Sequence, residues 1–238
     1  MIFKIKHLCI LALVLLVCII SVCGINFEKG YVFANGNAVI KPQIILDAGH
    51  GGFDGGAVAP DGTVEKDINL NITLFVAQFL RQGGFEVILT RTNDVSTDDV
   101  ETDKIITKKK SDLKNRLNLM KNHKGAVFVS IHLNKFTTSA ASGSQVFYSK
   151  GKQSEKLGEC IQKSIVNQLQ PENTRVNKQA TSSTYLLYNA TVPAVLVECG
   201  FLSNKAELKK LKTKDYQQKM AFSIYCGILE YFKGENNG

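Results

Sequence analysis

The stretch Val192–Asn204, VPAVLVECGFLSN, decides the fold and raises a chemical question. Its apolar, mostly β-branched first half is typical of a strand that is buried on both faces of a sheet. The run nevertheless stops at the carboxylate of Glu198, which is followed by Cys199 and Gly200. Burying an unpaired charge is costly or shifts its pKa, so Glu198 is expected to face a partner supplied elsewhere in the chain.

Two other apolar runs also end on residues that can bind metals or exchange protons. The run QIILDAGH at 43–50 ends on His50, and the run AVFVSIHLN at 126–134 contains His132 near its end. In an open α/β sheet, ligands bind beyond the carboxyl ends of the strands. The sequence therefore predicts that His50, His132 and Glu198 converge at one edge of a sheet.

The alternation of strand-like runs with helical periodicity from Gln43 onward indicates the fold class. It predicts a single α/β domain, with a twisted, mostly parallel sheet flanked by helices on both faces. The first helix is expected to begin near Glu65, with an apolar stripe, and to end at the Gly83-Gly84 pair.

Other segments have less regular patterns. FEVILTRT at 85–92 is expected to be a strand, SGSQVFYS at 142–149 an edge strand, and Tyr185–Tyr188 a short strand. The polar residues 92–110 are too numerous for an ordinary connection and are expected to form a mobile loop near the site. Asn204 is expected to cap a short helix.

Glu65 is the natural third partner for the two histidines. It lies three residues before Ile68, which places it on the inward stripe of its helix. Two imidazoles, one carboxylate and one open position describe a catalytic zinc centre with one Zn²⁺ per chain. Alone, Glu65 would be better explained as a first-turn acid favoured by the helix dipole, and a single strand-end histidine as a structural residue.

Glu198 can then face the open coordination position and move protons during hydrolysis. The alternatives are that Glu198 is a fourth ligand or a member of a salt bridge. A fourth protein ligand would close the site, whereas the glycines around His50 favour an approachable one. Arg116 and Asn134 are left outside the catalytic set, as residues that contact substrate, brace the ligands or, for Arg116, form an ordinary ion pair.

The N-terminus indicates export. Residues 1–34 form a basic start and an apolar stretch, a signal peptide or membrane anchor with a cleavage site after Ala34. Residues 35–42 are expected to be a linker and 43–235 the catalytic domain. The leader carries three lysines and one glutamate, so its removal lowers the net charge from +8 to +6. A basic exported protein suits a polyanionic wall or membrane surface.

Several other function classes are disfavoured by the residues. No helix-turn-helix, zinc finger or aromatic-studded basic patch accompanies the charge, which argues against nucleic-acid binding. The glycine-rich segment lacks the Lys-Ser or Lys-Thr pair of a phosphate-binding loop. Outside the leader the chain has Cys160, Cys199 and Cys226, which lack metal-ligand spacing and are expected to be small buried hydrophobes.

Taken in order, these motifs resemble the zinc-dependent N-acetylmuramoyl-L-alanine amidases of bacterial cell-wall and spore lysis. The resemblance covers about residues 44–232 and is carried by LDAGHGG, the Glu65 helix start, Thr90-Arg91, LKNR, SIHLN and PAVLVECGFLSN. It implies that His50, Glu65 and His132 bind zinc and that Glu198 is the catalytic acid-base. The implied reaction is hydrolysis of the amide between N-acetylmuramic acid and L-alanine in peptidoglycan.

Within that family the chain is most similar to the short spore-cortex members. This implies removal of peptide from muramic acid during spore formation, which prepares the muramic lactam that germination enzymes recognise. The alternatives are a vegetative cell-wall autolysin and another zinc peptidase or deacetylase of the cell envelope. The sequence does not indicate whether an accessory protein is needed.

Overall fold

A computed structural model describes residues 41–235 of the chain. The predicted leader and most of the predicted linker lie outside the described residues. Within them the strands are Gln43–Ala48 (β1), Glu86–Leu89 (β2), Val127–Asn134 (β3), Gln145–Tyr148 (β4), Lys178–Gln179 (β5) and Ala194–Phe201 (β6). The helices are Glu65–Gln82 (α1), Ile105–Asn122 (α2), Lys152–Gln168 (α3), Tyr185–Tyr188 (α4), Lys205–Leu211 (α5) and Lys214–Glu235 (α6).

The strands form one six-stranded sheet in the order β2-β1-β3-β6-β4-β5. Strands β2, β1, β3 and β6 are parallel to one another, whereas β4 runs antiparallel to β6 and parallel to β5. The carboxyl ends of β1, β3 and β6 therefore meet at one edge of the sheet. The predicted α/β fold with a mostly parallel sheet is confirmed.

Helices cover both faces of the sheet, as predicted. On one face, Ile72 of α1, Ile161 of α3 and Ile228 of α6 pack in one large apolar cluster with the strands. On the other face, Met120 of α2 and Leu187 of α4 belong to a smaller cluster. The two clusters take alternate residues of the same strands, which explains why the strand sequences are continuously apolar.

Helix α1 confirms the predicted boundaries and stripe. It begins at Glu65, and Gly83 stands at its C-terminal cap. The residues of its stripe that are buried are Ile68, Ile72, Val76 and Leu80. Asn204 caps α5 as predicted, because its side chain accepts hydrogen bonds from the backbone N–H groups of Ala206 and Glu207.

Three expectations about local structure were wrong. Tyr185–Tyr188 forms a helical turn rather than a strand, since a four-residue apolar run carries too few residues to separate the two periods. Strand β4 is not an edge, because the two-residue β5 pairs outside it. The connection before α2 is shorter than predicted, since the lysine-rich residues from Ile105 are already helical.

The connection that precedes α2 is tied to this helix and to the glycine-rich loop, where the backbone N–H of Gly52 donates to Asp94 Oδ1 over 2.8 Å. The backbone N–H of Thr97 donates to Asp112 Oδ1 over 2.7 Å, and Ser111 Oγ donates to Asp99 Oδ1 over 2.5 Å.

Within residues 41–235, Cys160, Cys199 and Cys226 are all free thiols. No helix of that range combines the length and apolar character needed to cross a membrane.

Candidate active site

The sheet brings the three predicted strand-end residues to the same edge. His50 follows β1 by two residues, while His132 lies in β3 and Glu198 in β6. His132 and Glu198 are paired directly across the parallel ladder between β3 and β6. The antiparallel bridge between Val58 and Val64 closes the loop that returns to α1. Glu65 therefore enters the site as the first residue of its helix.

His50, Glu65 and His132 form a compact cluster of potential metal ligands. His50 Nε2 lies 3.3 Å and His132 Nδ1 lies 3.0 Å from Glu65 Oε1. The candidate donor atoms of the three residues all lie within 4.8 Å of one another. Two imidazole nitrogens and a carboxylate oxygen are a donor set that can bind zinc.

Glu65 is held in its ionised form and in a fixed orientation. Burial raises the pKa of Glu65, but hydrogen bonds to His132 and His50 outweigh burial and hold the pKa well below its ordinary value. The backbone N–H of Ala57 donates to Oε2 over 2.8 Å, and that of Leu133 donates to Oε1 over 3.1 Å. The carboxylate thus faces the imidazoles ready to bind a cation.

The backbone packs directly against the side chains of this cluster. A Cβ atom on Gly49 would lie 2.3 Å from the ring of His132, and one on Gly56 would lie 2.6 Å from Glu65 Oε2. His50 itself adopts a left-handed backbone conformation with φ of 62°. A non-glycine residue rarely adopts this conformation, and such residues concentrate at functional sites.

Asp54 orients the imidazole of His50, a role that the sequence analysis missed. Asp54 Oδ2 lies 2.9 Å from His50 Nδ1, and Lys109 Nζ lies 3.0 Å from Asp54 Oδ1. Burial by itself lowers the pKa of His50, but hydrogen bonds to Asp54 and Glu65 outweigh burial and raise it to about 9. The signal was the position of Asp54, four residues after His50 in the same loop.

Arg116 braces the loop that carries His50. Its Nη1 donates to the carbonyl of Ala48 over 2.9 Å, and its Nη2 donates to the carbonyl of His50 over 2.8 Å. The guanidinium also pairs with Asp47 and with Asp112, and only 2% of the side chain is exposed. Of the roles left open for Arg116, the structure supports bracing through buried ion pairs. Asn134 ends β3, two residues beyond His132.

Arg91 supports the same turn. Its side chain is buried, Nε donates to the carbonyl of Ala48 over 2.9 Å, and Nη2 donates to the carbonyls of Gly49 and Lys66. The loop between β1 and α1 is therefore fixed by two guanidinium groups. The sequence analysis noted the Thr90-Arg91 pair only as part of the resemblance.

Glu198 faces the cluster without joining it. Its Oε2 atom is buried and has no hydrogen-bond partner among the described residues. Burial raises the pKa of Glu198, His132 opposes this effect, Glu65 adds to it, and the pKa reaches about 7. The ligand cluster of residues 41–235 comprises His50, Glu65 and His132 and does not include Glu198. A carboxylate with a pKa near 7, beside three potential metal ligands, is better suited to proton transfer than to metal binding.

Residues 44–230 match the protein family described as N-acetylmuramoyl-L-alanine amidase. The chain is 40% identical over 190 residues to the germination-specific N-acetylmuramoyl-L-alanine amidase of Bacillus subtilis strain 168, with 79% of each protein covered. The match includes most of the described domain.

Solved structures show the same similarity. The CwlD amidase from Clostridioides difficile, solved in complex with the GerS lipoprotein, has a TM-score of 0.78 and 44% sequence identity, covering 82% of this chain and 100% of that chain. An N-acetylmuramoyl-L-alanine amidase from Clostridium difficile 630 has a TM-score of 0.70 and 29% identity, covering 82% and 98%.

Proposed function

The chain belongs to the N-acetylmuramoyl-L-alanine amidase family, and from that premise we propose that it is a zinc enzyme in which His50, Glu65 and His132 hold the metal and Glu198 transfers protons. The reaction is hydrolysis of the amide between the lactyl group of N-acetylmuramic acid and L-alanine in peptidoglycan. The observation that carries this proposal is the convergence of three donors beside a buried carboxylate atom that lacks a partner.

The donor set fits zinc and leaves room for chemistry. Zinc, when bound, supplies Lewis-acid stabilisation of the developing charge on the scissile carbonyl oxygen and lowers the pKa of water from 15.7 to about 7. Asp54 fixes the His50 ring with Nδ1 turned away from the cluster, so that Nε2 faces Glu65. Glu65 contributes a negative charge, and the two imidazoles contribute none when neutral.

Glu198 supplies the proton relay. Its unpartnered oxygen can accept the proton of the attacking water, and the protonated carboxyl can then deliver this proton to the leaving nitrogen of L-alanine. A pKa of about 7 allows the carboxyl group both to accept and to donate a proton near neutral pH. Because β3 and β6 fix the backbone on either side, the relay lies at a constant distance from the His132 donor.

The biological setting that we propose is maturation of the spore cortex. The support is that the similar Bacillus subtilis protein is named as germination-specific and that a similar solved structure is a CwlD amidase. In this setting, removal of peptides from muramic acid prepares the muramic lactam that germination enzymes recognise. Deleting the gene should leave a cortex without this lactam, which muropeptide analysis of purified spores would measure.

Export and a partner protein are part of the same proposal. Relatives of the chain include proteins named as cell wall amidases, and the predicted leader at 1–34 would deliver the catalytic domain to the envelope. The similar CwlD amidase was solved with the GerS lipoprotein, which supports an accessory protein for this chain as well. Cell fractionation tests export, and recovery of the native protein in the cytosol would contradict it.

Mass spectrometry of digested peptidoglycan tests the reaction. Purified peptidoglycan treated with the zinc-loaded protein should release stem peptides with a free N-terminal L-alanine and leave peptide-free muramic acid in the glycan. Cleavage inside the stem peptide would indicate a peptidase. Loss of acetyl groups without peptide release would indicate a deacetylase.

A further inference from the structure

Arg175 presents a fixed guanidinium close to the catalytic edge. Its Nε donates to the carbonyl of Ser142 over 2.7 Å, and its Nη1 donates to Gln145 Oε1 over 3.2 Å. The guanidinium carbon lies 4.8 Å from the centre of the Phe201 ring. Within residues 41–235, Arg175 forms no ion pair with a carboxylate. The side chain is therefore preorganised by neutral partners, and its positive charge remains available to a ligand.

Gln145 connects this cation to the proposed proton relay. Gln145 in β4 and Glu198 in β6 are directly paired across the antiparallel ladder. Paired residues of an antiparallel ladder extend their side chains to the same face of the sheet. Gln145 is buried, and its Nε2 donates to the carbonyl of Val176 over 2.9 Å. Glu198, Gln145 and Arg175 thus form a row that runs outward from the metal cluster.

The position of Phe201 gives the length of this row. The guanidinium lies over the ring of Phe201, which is the third residue after Glu198 in β6. At about 3.3 Å per residue along a strand, the guanidinium is roughly 10 Å from Glu198. An extended peptide spans about 3.3–3.6 Å per residue, so this distance corresponds to two or three residues.

Arg175 also lies on the wall of a groove of about 740 Å³. Polar side chains that line the groove include Asn173, Asn204, Glu207 and Tyr216. The carboxylate of Glu207 is already engaged, because its oxygens accept the backbone N–H groups of Gly143 and Phe201 over 2.8 and 2.7 Å. The groove therefore offers room for an extended chain. Two cations, Arg175 and Lys210, line it, and Arg175 is the one that is hydrogen-bonded to Gln145.

We propose that Arg175 binds a carboxylate of the stem peptide, two or three residues beyond the scissile amide. The inference rests on the proposed amidase reaction. The unmodified glycan strand of peptidoglycan is neutral, whereas the stem peptide carries free carboxylates, so an unpaired guanidinium selects the peptide side of the substrate. Arginine forms strong charge-assisted hydrogen bonds with carboxylates. The contact places the peptide along the end of β6, from the scissile amide beside Glu198 to the guanidinium over Phe201.

Substrates that differ only by amidation test the proposal. Three soluble N-acetylmuramoyl tripeptides would be compared: one with free carboxylates, one amidated at the second residue and one amidated at the third. KM and kcat would be measured for the zinc-loaded wild type, Arg175→Gln and Arg175→Lys. We expect amidation at the contacted residue to lower the wild-type kcat/KM about 10- to 100-fold, the usual worth of a charged hydrogen bond.

Arg175→Gln should lower kcat/KM for the free carboxylate substrate by a similar factor, mainly through KM, and should no longer distinguish it from the amidated one. Arg175→Lys retains the charge and should preserve part of the discrimination, which covers the case in which Arg175→Gln fails to fold. The matched control is Lys178→Gln, which removes an exposed charge three residues away and should discriminate as the wild type does.

The outcomes separate the two proposals. Wild-type cleavage that ignores amidation at both positions overturns the role of Arg175, as does discrimination that survives in both Arg175 variants. In either case the amidase reaction itself stands. If the wild type cleaves none of the three substrates but cuts another bond in peptidoglycan, the proposed reaction fails and the carboxylate contact fails with it.

Discussion

Glu198 and His132 occupy directly paired positions on β6 and β3, so that the proposed proton-transfer group and a proposed metal donor are held side by side by the sheet ladder. Both side chains extend from paired strands rather than from loops. Their relative position is set by backbone hydrogen bonds between buried strands, which are among the least mobile parts of a fold. The geometry of the relay is therefore determined by strand register.

Glu198→Gln tests the relay directly. The amide keeps the shape of the side chain and leaves the three donors in place, but it cannot accept the proton of water. We expect zinc content and melting temperature near those of the wild type, and turnover lower by about 10²- to 10⁴-fold. Elemental analysis, thermal unfolding and peptide release would be measured on the same preparation.

The control for this variant is Glu159→Gln, which makes the same change at an exposed position on α3 and should leave turnover unchanged. Loss of zinc along with activity in Glu198→Gln would make Glu198 a ligand. Near-normal peptide release with zinc retained would exclude it from the chemistry.

His50→Ala tests the metal assignment. Removal of one imidazole leaves two of the three donors, so the zinc bound per chain should fall strongly after dialysis against metal-free buffer. His123→Ala is the control, because His123 lies at the C-terminal end of α2 and its Nδ1 is 2.9 Å from the carbonyl of Leu119. Full zinc occupancy in His50→Ala would rule out the assignment.

Zinc uptake by the metal-free protein should depend on pH. His50 has a raised pKa of about 9 in the absence of metal, so it is protonated at neutral pH and must lose that proton to bind zinc. The apparent affinity should therefore rise by about tenfold per pH unit up to pH 9 and then level off. Competition with a chelator of known affinity, corrected for its own protonation, would measure this.

Asp54→Asn provides the contrast. It replaces the carboxylate that stabilises the protonated imidazole, so the pH at which the affinity levels off should fall below 9. Above that pH the variant should bind zinc about 10- to 100-fold more weakly, because the ring loses its orienting partner. An unchanged pH profile in Asp54→Asn would show that Asp54 does not control His50.

Arg116→Leu should destabilise the protein strongly. It leaves the buried carboxylate of Asp47 without its cation, a loss that typically costs about 3–5 kcal/mol in the free energy of unfolding. Urea unfolding would measure the loss. Arg81→Leu on the exposed side of α1 should stay within about 0.5 kcal/mol of the wild type. Similar effects of the two substitutions would contradict the bracing role.

The parts of the site that follow regular patterns were predictable from sequence. His50 and His132 were found because parallel strands end at a common edge, and Glu65 because helical periodicity put it on the buried stripe. The structure brings these three residues together as expected. Their roles in zinc binding, like that of Glu198 in catalysis, stay predictions until the variants above are measured.

Other parts depend on contacts between distant segments and had no local signature. The ion pair of Asp47 with Arg116 joins residues 69 positions apart. The insertion of β4 between β6 and β5 depends on a choice of pairing partner, which alternation of apolar residues along one strand does not specify. Arg175 was missed for the same reason, because its partners Ser142 and Gln145 lie more than 25 positions earlier in the chain.

The reversed direction of β4 has a consequence for how such enzymes diversify. Because β4 runs against β6, the chain enters β4 at the same edge where it leaves β6. The connecting segments 135–144 and 202–204 thus border the catalytic edge, while every proposed metal donor lies before them, between His50 and His132. Insertions in either segment can reshape the rim that meets the substrate without moving a donor. Selection for a new wall architecture can therefore act on one part of the chain while the hydrolytic chemistry is inherited unchanged in another.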